Sequence, residues 1–260
     1  MPLPVHPVAR GAVLIVAGMT AIGFVDNFGW LIATEISVWQ FHLLRAAIAL
    51  PILALLAAAF GLRLRPNRPG RVALRAAVQG AAMLLYFAAL GFLPIAQVGA
   101  GLFTAPLFVL LFAALRFGER IGPRRLAAVA AGFAGVVLML RPDPANIGPE
   151  TLMPLAAGAL YGLGNLLTRE WCAEDPVGAL LASFFAALGL IGAAGCLALA
   201  LHPAAGAPSF LTAPLALPSA LVLGWIVAQA VGSLASVGLI TRGYQYAATS
   251  TLAVFESPSS

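Results

Sequence analysis

The sequence predicts an all-α fold, a polytopic bundle of transmembrane helices, and three observations lead to this prediction. The 260 residues are 62% hydrophobic and only 9% charged, whereas about a quarter of the residues in a typical soluble domain are charged. The mean hydropathy is +0.99. Charge-free apolar runs of about twenty residues recur along the chain, and each is long enough to cross the hydrocarbon core of a bilayer as a helix.

The individual helices follow from these apolar runs and from the arginine and loop residues between them. An N-terminal tail is expected at residues 1–10. Eight full spans are predicted over residues 11–33, 36–60, 72–92, 95–117, 123–140, 151–169, 177–201 and 217–241. A ninth helix is expected to begin after Arg242 and Gly243, and the sequence ends inside it.

The basic residues orient the predicted bundle. All 14 are arginines, and with a cytoplasmic N-terminus twelve of them lie on the cytoplasmic side. Only Arg141 falls in an outside loop, and Arg45 falls within a span. Because positive charge accumulates in cytoplasmic loops, the sequence predicts a multi-pass protein with its N-terminus in the cytoplasm. The cytoplasmic group contains Arg10, Arg63, Arg65, Arg68, Arg71, Arg75, Arg116, Arg120, Arg124, Arg125, Arg169 and Arg242.

The same distribution argues against other functional classes. The arginines lie in short loops beside apolar runs and are not interleaved with exposed aromatic residues, so no nucleic-acid partner is expected. The two cysteines, Cys172 and Cys196, form no CxxC motif and have no histidine at metal-ligand spacing. No metal, no cofactor and no enzymatic residue pair is predicted.

The chain also contains a weak internal repeat. Residues 39–50 align with residues 179–190, and residues 90–106 align with residues 242–258, with Pro106 opposite Pro258. Five helices in the first unit mean that the second unit enters the membrane from the opposite side. This arrangement is an inverted repeat, which is typical of alternating-access transporters. The predicted units are residues 11–142, with five helices, and residues 151–260, with helices six to eight and part of the ninth.

The motifs of residues 84–142 resemble a known family. LYFAAL, a small-residue helix with AP before its second half, FGER, and a glycine-dotted helix ending in LRP follow one another there. This order resembles the first repeat of EamA-type proteins of the drug/metabolite transporter superfamily. FHLLRAAIA (41–49) and ALYGLGNLLTRE (159–170) are similar to the family's second and sixth helices.

The resemblance implies ten helices in two inverted five-helix repeats. It also implies transport of small metabolites, often outward, across the bacterial inner membrane. Compared with that pattern, the chain stops inside the ninth helix, so a C-terminally truncated second repeat is expected.

Charged residues within the apolar runs are the first candidates for a site. Asp26 and Arg45 lie at similar depths of roughly 10 and 13 Å from the same membrane face, on antiparallel helices. They are therefore expected to form an ion pair. Because charges inside a membrane usually face a cavity or a partner, one interpretation is a substrate cavity or gate, with Asp26 coupling transport to protons. The alternative is a purely structural pair.

Four further residues are candidates for the cavity. Asn27 adjoins Asp26, and His42 lies one turn before Arg45. Tyr86 has a hydroxyl group that needs a partner within the membrane. Pro106 is expected to free the carbonyl of Leu102 and bend its helix, as a hinge or as a static kink. His42 and Tyr86 have equally good structural roles.

Other polar and small residues are assigned to helix packing. Gln79, Gln97, Asn165 and Gln229 are interpreted as hydrogen-bonding contacts between helices, and the GxxxG motif of Gly158 and Gly162 as a close-packing face.

Three functions compete on this basis. The first is a secondary transporter that moves a small metabolite, by efflux or exchange, through alternating access. The second, an intramembrane enzyme, lacks a suitable residue set. The third is a non-transporting protein that results from truncation, unless a homodimer partner supplies the missing helices.

Overall fold

The computed structural model describes residues 7–117, 149–204 and 209–255, together with scattered positions between 122 and 138. Within these residues the regular structure is entirely helical. The helices are α1 (Pro7–Asp26), α2 (Gly29–Ala33), α3 (Val38–Phe60), α4 (Pro69–Ala89), α5 (Ile95–Leu102), α6 (Ala105–Phe117), α7 (Pro149–Trp171), α8 (Val177–Leu201) and α9 (Ala220–Phe255).

Six segments of the described part are long and apolar enough to cross a membrane. They are Ala9–Asp26, Val38–Phe60, Pro69–Ala89, Ile95–Leu115, Val177–Leu201 and Ala220–Tyr246. The predicted helix at 151–169 is present as α7, which is not among the six and has Glu150 in its first turn and Arg169 in its last. The predicted span 123–140 falls largely outside the described residues. The all-α membrane fold is confirmed, and the count of eight spans stays a prediction.

Three antiparallel helix pairs form the core. Gly11 and Gly18 of α1 lie against Gly243 and Ser236 of α9. Helix α3 packs on α8, and α4 packs on α7. Glycine faces bring the backbones close, because an added Cβ on Gly192 of α8 would lie 2.6 Å from the Trp39 carbonyl oxygen on α3.

The predicted helix at 95–117 is divided in two. Helix α5 ends at Leu102 and α6 begins at Ala105, so Pro106 lies in the first turn of a new helix. Proline is tolerated there because the amide it lacks has no partner within the helix. The prediction that Pro106 bends a continuous helix is therefore wrong. Thr104 stabilises the break, since its hydroxyl donates to the Gly101 carbonyl at 2.5 Å.

The predicted GxxxG packing is confirmed at this break. A Cβ on Gly158 would overlap the Gly101 carbonyl oxygen and the Thr104 hydroxyl, and a Cβ on Gly162 would lie 2.7 Å from the Ala105 carbonyl oxygen. Helix α7 thus packs with its glycine face directly on the backbone between α5 and α6.

Two other predicted helix ends differ in the structure. The helix at 11–33 stops at Asp26 and resumes as the short α2. In contrast, α9 runs without a break through Arg242 and Gly243, where a new helix was expected. Gly243 has a packing role there, since an added Cβ would lie 2.8 Å from the Gly11 carbonyl oxygen on α1.

Candidate functional site

A small enclosed cavity lies at the centre of the bundle. Its volume is about 20 Å³, which is room for about one water molecule. Helices α1, α3, α4, α5, α7, α8 and α9 all contribute to its wall. The lining residues are Ile22, Asp26, Arg45, Gln79, Met83, Phe87, Leu102, Tyr161, Phe184, Val237 and Ile240.

Arg45 is held in this wall by aromatic rings. Its side chain is 1% exposed. The guanidinium carbon lies 5.6, 5.3 and 5.8 Å from the ring centres of Phe41, Phe87 and Phe185, which is the range of cation–π contacts. The Nε and Nη1 groups of Arg45 have no hydrogen-bond partner among the described residues. Two charged donors are therefore oriented by packing and left without an acceptor.

Asp26 and Arg45 meet in a different way from the predicted ion pair. Both side chains line the cavity and interact through their charges. Neither of the ion pairs formed by the described residues joins them. Asp26 instead accepts a hydrogen bond of 3.0 Å from Gln229 Nε2. The predicted direct ion pair is therefore wrong, because α9 supplies the partner of the carboxylate.

A second polar pair repeats this contact between α4 and α7. Gln79 Nε2 on α4 donates to Asn165 Oδ1 on α7 at 3.0 Å. The donor atom, acceptor atom and distance are the same as in the pair of Gln229 and Asp26. In both glutamines the Oε1 atom is buried and has no partner in the described part of the chain. The Nε2 atom of each glutamine thus has the predicted role in helix packing, whereas the Oε1 atom does not take part in it.

The other candidate residues lie at different places. His42 is fully buried between the rings of Phe41 and Phe87, with centroid distances of 5.1 and 5.4 Å, and does not line the cavity. Tyr86 is buried beside Asp26. Asn27 is exposed and its side chain donates back to the Gly23 carbonyl, so it does not reach the cavity.

Pro106 lines a second, larger opening of about 400 Å³ between α1, the start of α6, α7 and α9. This opening shares Tyr161 and Ile240 with the central cavity. Its wall also includes Asn165, whose Oδ1 accepts the bond from Gln79. The two spaces are therefore neighbours.

Arg75 lies at the centre of a polar cluster, although its position in the sequence grouped it with the arginines of the basic loops. It is 0% exposed, and its guanidinium donates to Thr168 Oγ1 at 2.9 Å, to the Leu180 carbonyl at 2.9 Å and to Thr241 Oγ1 at 3.2 Å. One side chain thus joins α4, α7, α8 and α9. The four-residue spacing between Arg75 and Gln79 is a signal that was available in the sequence, because it places both on one helix face.

Polar contacts close the bundle at the end near Arg75. Asp175 Oδ1 accepts from the backbone amides of Asn67 at 2.6 Å and Arg68 at 3.3 Å. Gln245 donates to the carbonyls of Cys172 and Asp175 at 3.1 and 2.7 Å. The connections between α3 and α4 and between α7 and α8 are thereby fastened to each other and to α9.

A separate set of contacts closes the other end. The amide of Gln40 exchanges two hydrogen bonds with the backbone of Ala216, of 2.5 and 3.2 Å. The Glu35 carboxylate accepts from the backbone and hydroxyl of Ser219 at 2.7 and 2.8 Å. Polar contacts between distant segments therefore join both ends of the described bundle.

Part of the chain is similar in sequence to known transporters. A riboflavin transporter of Rhizobium johnstonii is 36% identical over 107 residues, which are 41% of this chain and 35% of that protein. A riboflavin transporter of Brucella anthropi is 31% identical over 52% of this chain and 46% of its own length. An S-adenosylmethionine uptake transporter of Rickettsia prowazekii is 27% identical over 33% of this chain and 29% of that protein. These matches span less than half the length of each relative.

A solved crystal structure has the same fold. It covers 94% of this chain, and the chain covers 90% of it, with a TM-score of 0.59 at 24% sequence identity. The EamA-like transporter family matches residues 9–141, which is half of the chain and includes the LYFAAL, AP and FGER motifs that suggested the resemblance. The chain therefore belongs to the EamA-like transporter family.

Proposed function

We propose that the protein is a secondary transporter that moves a small metabolite across the bacterial inner membrane by alternating access. The observation that carries this proposal is the central cavity, in which Arg45 has unpartnered donors beside Asp26 and Gln79. A buried charge without full partners is costly, so such groups in a membrane protein mark a solute pathway. The proposed substrate site is this cavity.

The pairing of helices supports an inverted repeat. Suppose that α1 corresponds to α7, α3 to α8 and α4 to α9. Exchanging the two halves then replaces the contact between α1 and α9 by the contact between α7 and α4, and it leaves the contact between α3 and α8 unchanged. All three are the main antiparallel contacts of the structure. The matching glutamine contacts of Gln229 and Gln79 fall in the two exchanged pairs.

The two closed ends suggest how access alternates. The contacts around Asp175 and those around Gln40 involve different loops, so one set can open while the other stays closed. A cavity of about 20 Å³ is too small for a metabolite, and therefore the bundle must widen to admit one. We propose that this arrangement is a closed conformation between two open ones.

The relatives suggest where to look for the substrate. Two are named as riboflavin transporters and one as an S-adenosylmethionine uptake transporter. We propose riboflavin-like solutes as the first compounds to test, with efflux or exchange as the direction. The cytoplasmic N-terminus implied by the arginine distribution belongs to the same proposal.

Transport in liposomes tests the function. The protein is reconstituted, and the flux of riboflavin, S-adenosylmethionine, nucleosides and amino acids is measured. We expect saturable flux of at least one solute, lowered more than about tenfold in Asp26→Asn and Arg45→Ala, because each removes a charged group from the cavity. The control is Gln97→Leu, a half-buried α5 position that does not line the cavity. Flux no faster than in protein-free liposomes for every solute would refute the proposal.

A further inference from the structure

We infer that the central cavity selects neutral ligands with an amide- or imide-type edge, and that Arg45 and Gln79 are the residues that determine this specificity. Such an edge presents carbonyl acceptors beside an N–H donor. The inference rests on the proposed function, because it takes the cavity as the substrate site.

The donors that need acceptors come from Arg45. Its Nε and Nη1 groups are unpartnered among the described residues, and the side chain is 1% exposed. The rings of Phe41, Phe87 and Phe185 hold the guanidinium in place, so it cannot turn to find a backbone carbonyl without losing these contacts. A ligand carbonyl oxygen satisfies a guanidinium N–H group, and two such donors suit a ligand with more than one acceptor.

The acceptor that needs a donor comes from Gln79, which lines the cavity. Its Nε2 donates to Asn165 Oδ1 at 3.0 Å, so its Oε1 atom points away from Asn165. This Oε1 atom is buried without a described partner, and a ligand N–H group supplies what it lacks. Gln229 donates to the Asp26 carboxylate and does not itself line the cavity.

The charge of the cavity favours a neutral ligand. Asp26 and Arg45 have opposite formal charges, and no other charged side chain is among the described residues that line the cavity. A ligand with a net charge leaves one charge unbalanced inside the bundle, where the cost of burial is large. Phe87 and Phe184 form apolar parts of the wall, which suit the faces of a flat ring.

Calorimetric titration of the protein in lipid nanodiscs tests the inference with matched ligands. Lumiflavin and uracil are neutral and have an imide N–H group. Their N3-methyl derivatives lack this donor, whereas flavin mononucleotide and orotate add a negative charge. We expect a neutral imide to bind saturably, with about tenfold loss on N3-methylation and at least tenfold loss on adding the charge.

Variants identify the residues that are responsible. In Gln79→Leu the penalty for N3-methylation disappears, because the acceptor it leaves unsatisfied is gone, and in Gln97→Leu the penalty is unchanged. Gln79→Met removes the same acceptor, so the comparison remains available if Gln79→Leu fails to fold. In Arg45→Met the affinity for the neutral imide falls by about tenfold or more.

The outcomes separate this inference from the proposed function. Equal or tighter binding of the charged ligands, or a methylation penalty that persists in the Gln79 variants, overturns the inference. If only charged or zwitterionic solutes are transported in liposomes, the inference fails while the transporter function stands. If no solute is transported and no imide binds, both fail.

Discussion

Replacing Gly101 by alanine would force α5 away from α7. A Cβ at this position would overlap the Cβ, carbonyl carbon and carbonyl oxygen of Pro154. Carbon atoms in good contact are about 3.5–4.0 Å apart, so the two helices must separate by about 1 Å. The neighbouring atoms belong to a proline ring and to the backbone, and neither can move aside as a flexible side chain would.

We expect this substitution to lower the free energy of unfolding by about 2–3 kcal/mol, the upper part of the range for overpacked cores. Leu102 follows directly and lines the central cavity, so the displacement also reaches the proposed site. The matched control is Gly99→Ala on the same helix. A Cβ there meets no described atom within 4 Å, and alanine favours the helix by about 0.5–1 kcal/mol.

Reversible unfolding in mixed detergent micelles, followed by tryptophan fluorescence, measures both variants. Gly101→Ala should unfold at clearly lower denaturant concentration than the unmodified protein, and Gly99→Ala at the same or a slightly higher concentration. Equal stability of Gly101→Ala and Gly99→Ala would show that α5 and α7 are not in backbone contact, which contradicts the packing described above.

Three further predictions concern residues near the two ends of the bundle. Arg75→Met should destabilise the protein by about 3 kcal/mol, since three buried hydrogen bonds of a charged group are lost, and unfolding in the same assay checks it. Glu35→Gln should cost less than about 1 kcal/mol, because its contact with Ser219 is exposed to solvent; an effect as large as that of Arg75→Met would contradict this ranking. Burial raises the pKa of the Cys172 thiol to about 11. In the variant Cys196→Ser, alkylation of Cys172 at pH 8 should therefore be about a hundredfold slower than that of a free thiol, and its rate should increase with pH. Mass spectrometry measures this rate, and reaction as fast as that of an exposed cysteine would contradict the buried position.

The membrane fold and the family were predictable because both depend on local features of the chain. Apolar runs of sufficient length form membrane helices wherever they occur, since the backbone must satisfy its own hydrogen bonds in lipid. The FGER and LRP motifs likewise stand in a continuous stretch of sequence. The GxxxG motif predicted a packing face correctly because glycine spacing on one helix is also a local property.

The break at Phe103 and Thr104 could not be read from the sequence. Pro106 indicated that the helix is perturbed, but the contact of Gly158 with the Gly101 carbonyl determines where it ends. Similarly, Gly243 suggested a helix boundary, and only its packing against Gly11 explains why α9 continues. A glycine permits both a turn and a close helix contact, so its neighbours in space decide between them.

The candidate site shows most clearly the difference between what local sequence predicts and what contacts between distant residues decide. Asp26 and Arg45 were identifiable from sequence because a charge within an apolar run is conspicuous. Their partners were not: Gln229 lies 203 residues from Asp26, and Arg75 had the appearance of a loop arginine until α7, α8 and α9 enclosed it. Local sequence determines which segments enter the membrane and which polar groups they bring with them. Which of those groups satisfy one another, and which are left for a ligand, depends on contacts between distant helices that only the folded bundle creates.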